Sequence, residues 1–344
     1  MWAGVMKTIV EVVDPTSAAP WEYVGDLLGS EEPPVRDVTD MHEATRILHE
    51  YLTNRVRAVI AEQPGSVALM LSGGVDSIVL AKVLRDGGVD FTTVTVSALG
   101  VPSTDREVAR RVANDLGVEH IDLTVSRDAI VGLARDAIER IGTPELWEVA
   151  AAVPIMLAFA ELDQRGIDGP VFTGSGADVL LAGGVTLPAP PETTAAEEFI
   201  RAEIFETVVR SFRYQRLVPD FYDRLLGSGA SRCIQAFQTM DAWQATSRLH
   251  PLVLFAAGPS AWYDKSCLRD LGSRLGYDRE LVWTSKSPLQ ISSGLLALMT
   301  DSARRDLQFD GFSAAYADPA TEPVEHTVTR YWLKEVASDR SIHG

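Results

Sequence analysis

The sequence predicts an α/β protein: a parallel sheet with helices on both faces, followed by a mostly helical C-terminal part. Three observations predict it. Short apolar runs alternate with helix-period segments from residue 67 to about residue 174. Two of the runs break into glycine turns that carry an aspartate and open a helix, Ser72-Gly73-Gly74-Val75-Asp76-Ser77 and Thr173-Gly174-Ser175-Gly176-Ala177-Asp178. Beyond the proline-rich stretch TLPAPPETTAAEE at 186–198, helical periodicity dominates and little β signal remains.

Taken in order, residues 1–40 read as an extension packed on the main domain, with a strand-like segment from Thr8 to Val13. A long amphipathic helix spans His42 to Glu62, its apolar face built by Ile47, Leu48, Leu52, Val56, Val59 and Ile60. VALML at 67–71 suits a fully buried parallel strand, and the segment after the first glycine turn is helical to about Arg85. FTTVTVS at 91–97 and EHIDLTV at 119–125 are strands, separated by a helix at 106–117 that a glycine ends. Helices at about 127–141 and 145–165 lead to a short strand, PVFTG, at 170–174. The longest apolar stretch, Val149 to Ala160, contains Pro154, is too short to span a bilayer and reads as a core helix. The expected division is an extension at 1–40, a nucleotide-binding core at 41–190 and a helical part at 191–344.

A formal net charge of −17 and a pI near 4.8 argue against an extended nucleic-acid surface, which needs a basic face. The two cysteines, Cys233 and Cys267, form no disulfide framework and no metal-ligand spacing, and read as buried small hydrophobes in a reducing compartment. The N-terminus lacks the pattern of a secretory signal. A cytoplasmic protein is expected.

The first glycine turn combines demands of nucleotide chemistry. Paired glycines let backbone approach an anion, and the following helix N-terminus presents free N–H groups and the positive end of its dipole. Ser72 and Ser77 add hydroxyls, and Asp76 places a carboxylate where a phosphate-bound Mg²⁺ would sit. The pattern is neither a Walker A loop nor a GxGxxG fingerprint. Asp178 falls at another strand end of the same sheet. Alone it would read as a helix cap; paired with Asp76 it reads as a second metal ligand.

The first turn resembles the pyrophosphate loop, SGGxDS, of the ATP pyrophosphatase (PP-loop) superfamily, whose fold is adenine nucleotide alpha hydrolase-like. The order of SGGVDS, a second strand ending TVS, the helix RRVANDLGVEH and TGSGADVLLAGG is similar to the synthetase domain of the asparagine synthetase B and β-lactam synthetase family. Downstream, Asp264-Lys265-Ser266-Cys267-Leu268-Arg269 resembles the family's KxLLR segment. Glu280 to Lys286, followed by Gly294, resembles its lysine segment. The resemblance covers about residues 45–300. It implies that Asp76 and Asp178 hold Mg²⁺, and that Ser72, Gly73, Gly74 and Ser77 cradle the pyrophosphate of ATP. Gly174 and Ser175 would border the nucleotide, Val96 or Ser97 the adenine, and Lys286 would offset charge developing on phosphate and then on a tetrahedral carbon. Arg248 in SRLHPLVL matches a family Arg-x-Pro segment only with a shift of one residue.

Three departures separate the chain from asparagine synthetases. It begins Met1-Trp2-Ala3-Gly4, with no cysteine at position 2 and no room for a glutaminase domain. Ser175 stands where asparagine synthetases carry Glu and β-lactam synthetases Tyr, and Val179 replaces an acid. Glu203 and Glu206 are candidates for the missing base. The implied activity is an AMP- and pyrophosphate-forming carboxylate–amine ligase working through an acyl-adenylate. Its partners would be a small carboxylic acid and an amine or ammonia, with a separate glutaminase as one ammonia source and specialised metabolism as the setting. The alternatives are adenylation of a carbonyl or nucleoside for sulfur or nitrogen transfer, and a non-catalytic nucleotide-binding partner protein.

Overall fold

A computed structural model describes residues 18–101, 103–258, 262–284, 289–308 and 323–338. The strand-like segment Thr8 to Val13 lies outside the described residues. Five strands form one wholly parallel sheet: β1 (Val67–Met70), β2 (Phe91–Ala98), β3 (His120–Val125), β4 (Val171–Thr173) and β5 (Cys233–Gln235), in the order β3-β2-β1-β4-β5. The register sets Leu69 of β1 between Thr93 of β2 and Phe172 of β4. Chain direction across the sheet reverses between β1 and β4, which makes that gap the switch point where the loops at the carboxyl ends diverge and leave a crevice.

Period-two alternation sends Leu69, Phe172 and Ile234 to one apolar core and Ala68, Val171 and Cys233 to the other. The first core is covered by the helices Met41–Glu62, Val75–Asp86 and Thr104–Leu116, the second by Ile130–Ile141 and Leu146–Gln164. Helices therefore lie on both faces, as the alternation of elements predicts. In Met41–Glu62 the side chains of Leu48, Leu52, Val56 and Val59 are buried, while Ile47 and Ile60 are half-buried at the core's edge. Asp40 caps this helix by accepting from the Glu43 N–H. Gly117, left-handed at φ 63°, ends Thr104–Leu116.

Leu146–Gln164 is a core helix despite Pro154. Glu145 caps it, accepting from the N–H groups of Trp147 and Glu148. Among the described residues, no helix is long and apolar enough to cross a membrane.

After β4 the chain is mostly helical, with one difference from expectation. Cys233–Gln235 supplies the fifth strand of the main sheet from within the region read as helical. Three fully buried residues are too short for alternation to register in sequence. The later helices share the two cores: Cys267, Leu268 and Leu271 of Ser266–Arg274 join the first, and Leu295, Leu298 and Met299 of Leu295–Asp306 join the second.

Candidate active site

The turn after β1 is held by its own hydroxyls. Ser77 Oγ donates to the Ser72 carbonyl at 2.9 Å, accepts from the Ser72 N–H at 3.1 Å, and lies 3.1 Å from Ser72 Oγ. Ser77 is buried, and its hydroxyl ties the turn closed. The first N–H groups of Val75–Asp86 lack intrahelical partners by the geometry of an α-helix, and they begin directly after Gly74. At Gly73 a Cβ would stand 2.7 Å from Asp105 Cα, so no larger residue fits without displacing the next helix.

The turn after β4 packs directly on the first. A Cβ on Gly174 would lie 2.8 Å from Asp76 Cβ and 3.0 Å from the Ser77 nitrogen. Glycine there permits the approach of the two strand ends. Gly176, at φ 98°, is left-handed and backed by Phe237. The Ser175 carbonyl accepts from the Phe237 N–H and its side chain hydrogen-bonds Tyr222, whose ring is held by Trp21 and Phe221. Burial pushes the Tyr222 phenol well above its usual range, so it serves as a neutral hydroxyl.

Asp76 and Asp178 meet at one cation. Lys265 Nζ donates to both oxygens of Asp76 at 2.8 Å and to Asp178 Oδ1 at 2.7 Å. Burial works against this ammonium, but the two carboxylates outweigh it and its pKa is held above the ordinary lysine range. Lys265 itself sits in the left-handed region, φ 50°, just before Ser266–Arg274. The neighbouring Gly183 leaves no room for a side chain: a Cβ would come within 2.0 Å of Asp178 Oδ1 and 2.6 Å of Lys265 Cε.

A buried arginine braces this arrangement. Arg269 donates to Asp264 Oδ1 at 2.8 Å, to the Asp264 carbonyl at 2.7 Å, and to the carbonyls of Val282 and Thr284 at 2.8 and 2.9 Å. The Gly184 N–H donates to Asp264 Oδ2 at 2.6 Å. Burial alone would raise the Asp264 pKa, yet the Arg269 guanidinium and the Gly184 amide hold it below the usual carboxylate range. One side chain thus links the residues flanking Lys265 to Val282–Thr284, the stretch that leads to Lys286.

These groups surround a cavity of about 410 Å³ at the carboxyl ends of β1, β2 and β4. Ser72, Gly74, Asp76, Ser77, Val96, Gly174, Ser175 and Asp178 line it, as do Lys265 and Arg269. Among the sequence-predicted residues, Ser97 is a misfit. It is buried on β2 away from the cavity lining, with no hydrogen-bond partner for its hydroxyl among the described residues. Gly73 sits behind the turn against Asp105, which itself borders the cavity. Lys286 lies outside the described residues, while Thr284 and Leu289 on either side of that segment both line the cavity. Neither Glu203 nor Glu206 reaches it: Glu203 accepts from Thr207, and Glu206 faces Arg210. Arg248 pairs with Asp37 at the surface. Sequence reasoning placed Lys265 and Arg269 in a family-like segment without foreseeing their contacts. The Gly183-Gly184 pair that follows the second turn was the available signal for close packing there.

Known proteins resemble this chain in sequence. Asparagine synthetase B (glutamine-hydrolyzing) of Escherichia coli strain K12 is 24% identical over 225 residues, 62% of this chain and 36% of that protein. The glutamine-hydrolyzing asparagine synthetase of Bos taurus is 27% identical over 136 residues, 38% of this chain and 24% of that protein. The match thus spans between a quarter and a little over a third of these relatives' length. Among solved structures, an NH3-dependent NAD synthetase from Campylobacter jejuni covers 88% of this chain and 95% of its own, at 13% identity and a TM-score of 0.36, too distant to bear on function. The asparagine synthase family matches residues 48–332. A match across so much of the chain, with the paired glycine turns inside it, establishes that this protein belongs to the asparagine synthase family.

Proposed function

We propose that the protein is an ATP-dependent, AMP- and pyrophosphate-forming ligase that joins a carboxylic acid to an amine. The observation that carries this reading is the convergence of Asp76 and Asp178, from turns at the switch point of the sheet, within 2.8 Å of a single cationic nitrogen. Two carboxylates that already share one cation, beside a cavity open to a polyphosphate, fit Mg²⁺, which takes few protein ligands and completes its shell with phosphate and water. Asp76 and Asp178 would hold the ion, and it would neutralise charge on the phosphates of ATP.

The chain's own groups do the remaining work. Backbone N–H groups at the start of Val75–Asp86 receive the β and γ phosphates, with Ser72 beside them and Ser77 holding the turn in shape. Val96 borders the base. The substrate carboxylate attacks the α-phosphorus, pyrophosphate leaves, and the amine displaces AMP from the acyl carbon. Lys286 stabilises the charge that develops at both steps, and Arg269 holds Val282 and Thr284 upstream of it. Ser175 and Tyr222 supply neutral hydroxyls on the cavity wall, suited to orienting the amine and not to deprotonating it. The division into a nucleotide-binding core at 41–190 and a helical part at 191–344 belongs to the same proposal, as do a cytoplasmic location and a setting in specialised metabolism.

Sulfur transfer is disfavoured by the cysteines. Cys233 and Cys267 are fully buried, and burial pushes both thiols up to about 12, so neither is a reactive thiolate. Exchange of labelled pyrophosphate into ATP, screened across carboxylic acids, tests the ligase reading. Asp76→Ala is expected to reduce exchange by about a hundredfold or more. An unimpaired Asp76→Ala protein would remove the assignment.

A further inference from the structure

The place where Mg²⁺ would bind already has a cation built into the chain. Lys265 Nζ takes both oxygens of Asp76 and one of Asp178, at 2.7–2.8 Å. The lysine is 6% exposed, whereas the Asp178 side chain is 69% exposed. The ammonium is therefore the buried partner that holds an otherwise solvated carboxylate beside Asp76. Its placement is over-determined. The backbone of Lys265 is left-handed, a conformation disfavoured for residues with a Cβ. Asp264 and Arg269 pin the chain on either side of it, and Gly183 is stripped of any side chain where the lysine stem passes.

Mg²⁺ binds carboxylate oxygen at about 2.1 Å and needs the same lone pairs that the ammonium now accepts hydrogen bonds on. Two cations sharing three oxygens at these distances would repel strongly in a partly desolvated site. We propose that Lys265 is a resident counter-cation that keeps the Asp76–Asp178 pair closed to divalent metal until a polyphosphate accepts its ammonium. The inference rests on the reading of Asp76 and Asp178 as metal ligands. Metal then enters with the nucleotide: the ammonium moves from carboxylate to phosphate as the ion takes its place. Lys265 is a positioning residue in this scheme, and the carboxylates stay together before substrate arrives without a bound ion.

Mn²⁺ binding to the whole 344-residue chain, followed by electron paramagnetic resonance, tests this without any turnover. Wild-type protein is expected to bind Mn²⁺ weakly alone and more tightly with the α,β-methylene analogue of ATP. Lys265→Met and Lys265→Gln are expected to bind Mn²⁺ without nucleotide about tenfold more tightly than wild type, while Lys265→Arg stays near wild type. Asp178→Asn in the Lys265→Met background should abolish that gain, tying it to this pair. Equal Mn²⁺ affinity in wild type and both neutral variants, each folded by circular dichroism, overturns the proposal. So does wild-type binding that nucleotide fails to strengthen, a result that stands even if neither variant folds. Failure of the ligase reading is distinguishable: it shows as absent pyrophosphate exchange and absent nucleotide binding. Intact exchange with nucleotide-independent metal binding removes only the role of Lys265.

Discussion

The two glycine turns at the switch point look alike in sequence and are built differently. The turn after β1 is closed from within, by Ser77 bonding back to Ser72, and its carboxylate is largely buried, with the Asp76 side chain 18% exposed. The turn after β4 has a lighter internal tie, the Ser175 N–H donating to Thr173 Oγ1 at 3.3 Å. It rests on Asp76 through Gly174, and its Asp178 side chain is 69% exposed. The first turn is closed by its own residues; the meeting of its aspartate with Asp178 is set by a lysine arriving from about ninety residues downstream, which bonds both carboxylates. A local motif can encode the first arrangement, whereas the second depends on how the C-terminal helices pack.

Removing the brace behind that lysine should have the largest effect on stability. Arg269→Met takes the guanidinium from the Asp264 carboxylate and from three carbonyls in a buried setting, and should cost about 3–5 kcal/mol in denaturant unfolding. A loss below about 1 kcal/mol would mean the brace is solvated in solution. The contact between the turns comes next. Gly174→Ala forces a methyl group into Asp76 and should cost about 1–3 kcal/mol, with weaker nucleotide binding measured by calorimetry.

The internal tie of the first turn is smaller. Ser77→Ala removes the hydroxyl and leaves the Ser72 N–H without that partner, an expected loss of about 1 kcal/mol. Its pyrophosphate exchange should fall less than that of Asp76→Ala, because the hydroxyl is engaged in holding the turn and its loss removes no charge from the site. The smallest effect concerns pH. The Asp264 pKa is depressed in the folded protein, so its contribution is present above the unfolded value of about 3.9 and is lost as pH falls below that value toward the folded one. Unfolding titrations of Asp264→Asn should therefore show a flatter acid limb than wild type, with little change in slope near neutrality.

Much of the fold was legible because its signals are local. VALML, FTTVTVS and EHIDLTV are apolar runs of strand length between glycine-ended helices, and each became a strand of the parallel sheet. The first turn announced itself through five specified residues in six positions. Less local features were not legible. Cys233–Gln235 is a strand only because the edge of β4 is available to pair with it. The resemblance puts Ser97, or the backbone around Val96, beside the adenine; Val94, Thr95 and Val96 of β2 line the cavity and Ser97, one residue further on, does not. The acids Glu203 and Glu206 are candidate bases from their place on one helix just past the proline-rich loop, yet that helix directs them to Thr207 and Arg210.

By itself the sequence determined the layered α/β architecture, the phosphate-receiving turn and the family, since each is written in contiguous residues whose spacing matches a helix, a strand or a turn. Only the tertiary structure decided that Asp76 and Asp178 share a single ammonium, that Gly174 and Gly183 are glycines for lack of space, and that Arg269 braces Lys265 together with Val282–Thr284. Those relations join residues far apart in the chain. Their strength comes from burial and charge pairing, which exist only once the strand ends and the C-terminal helices have packed together.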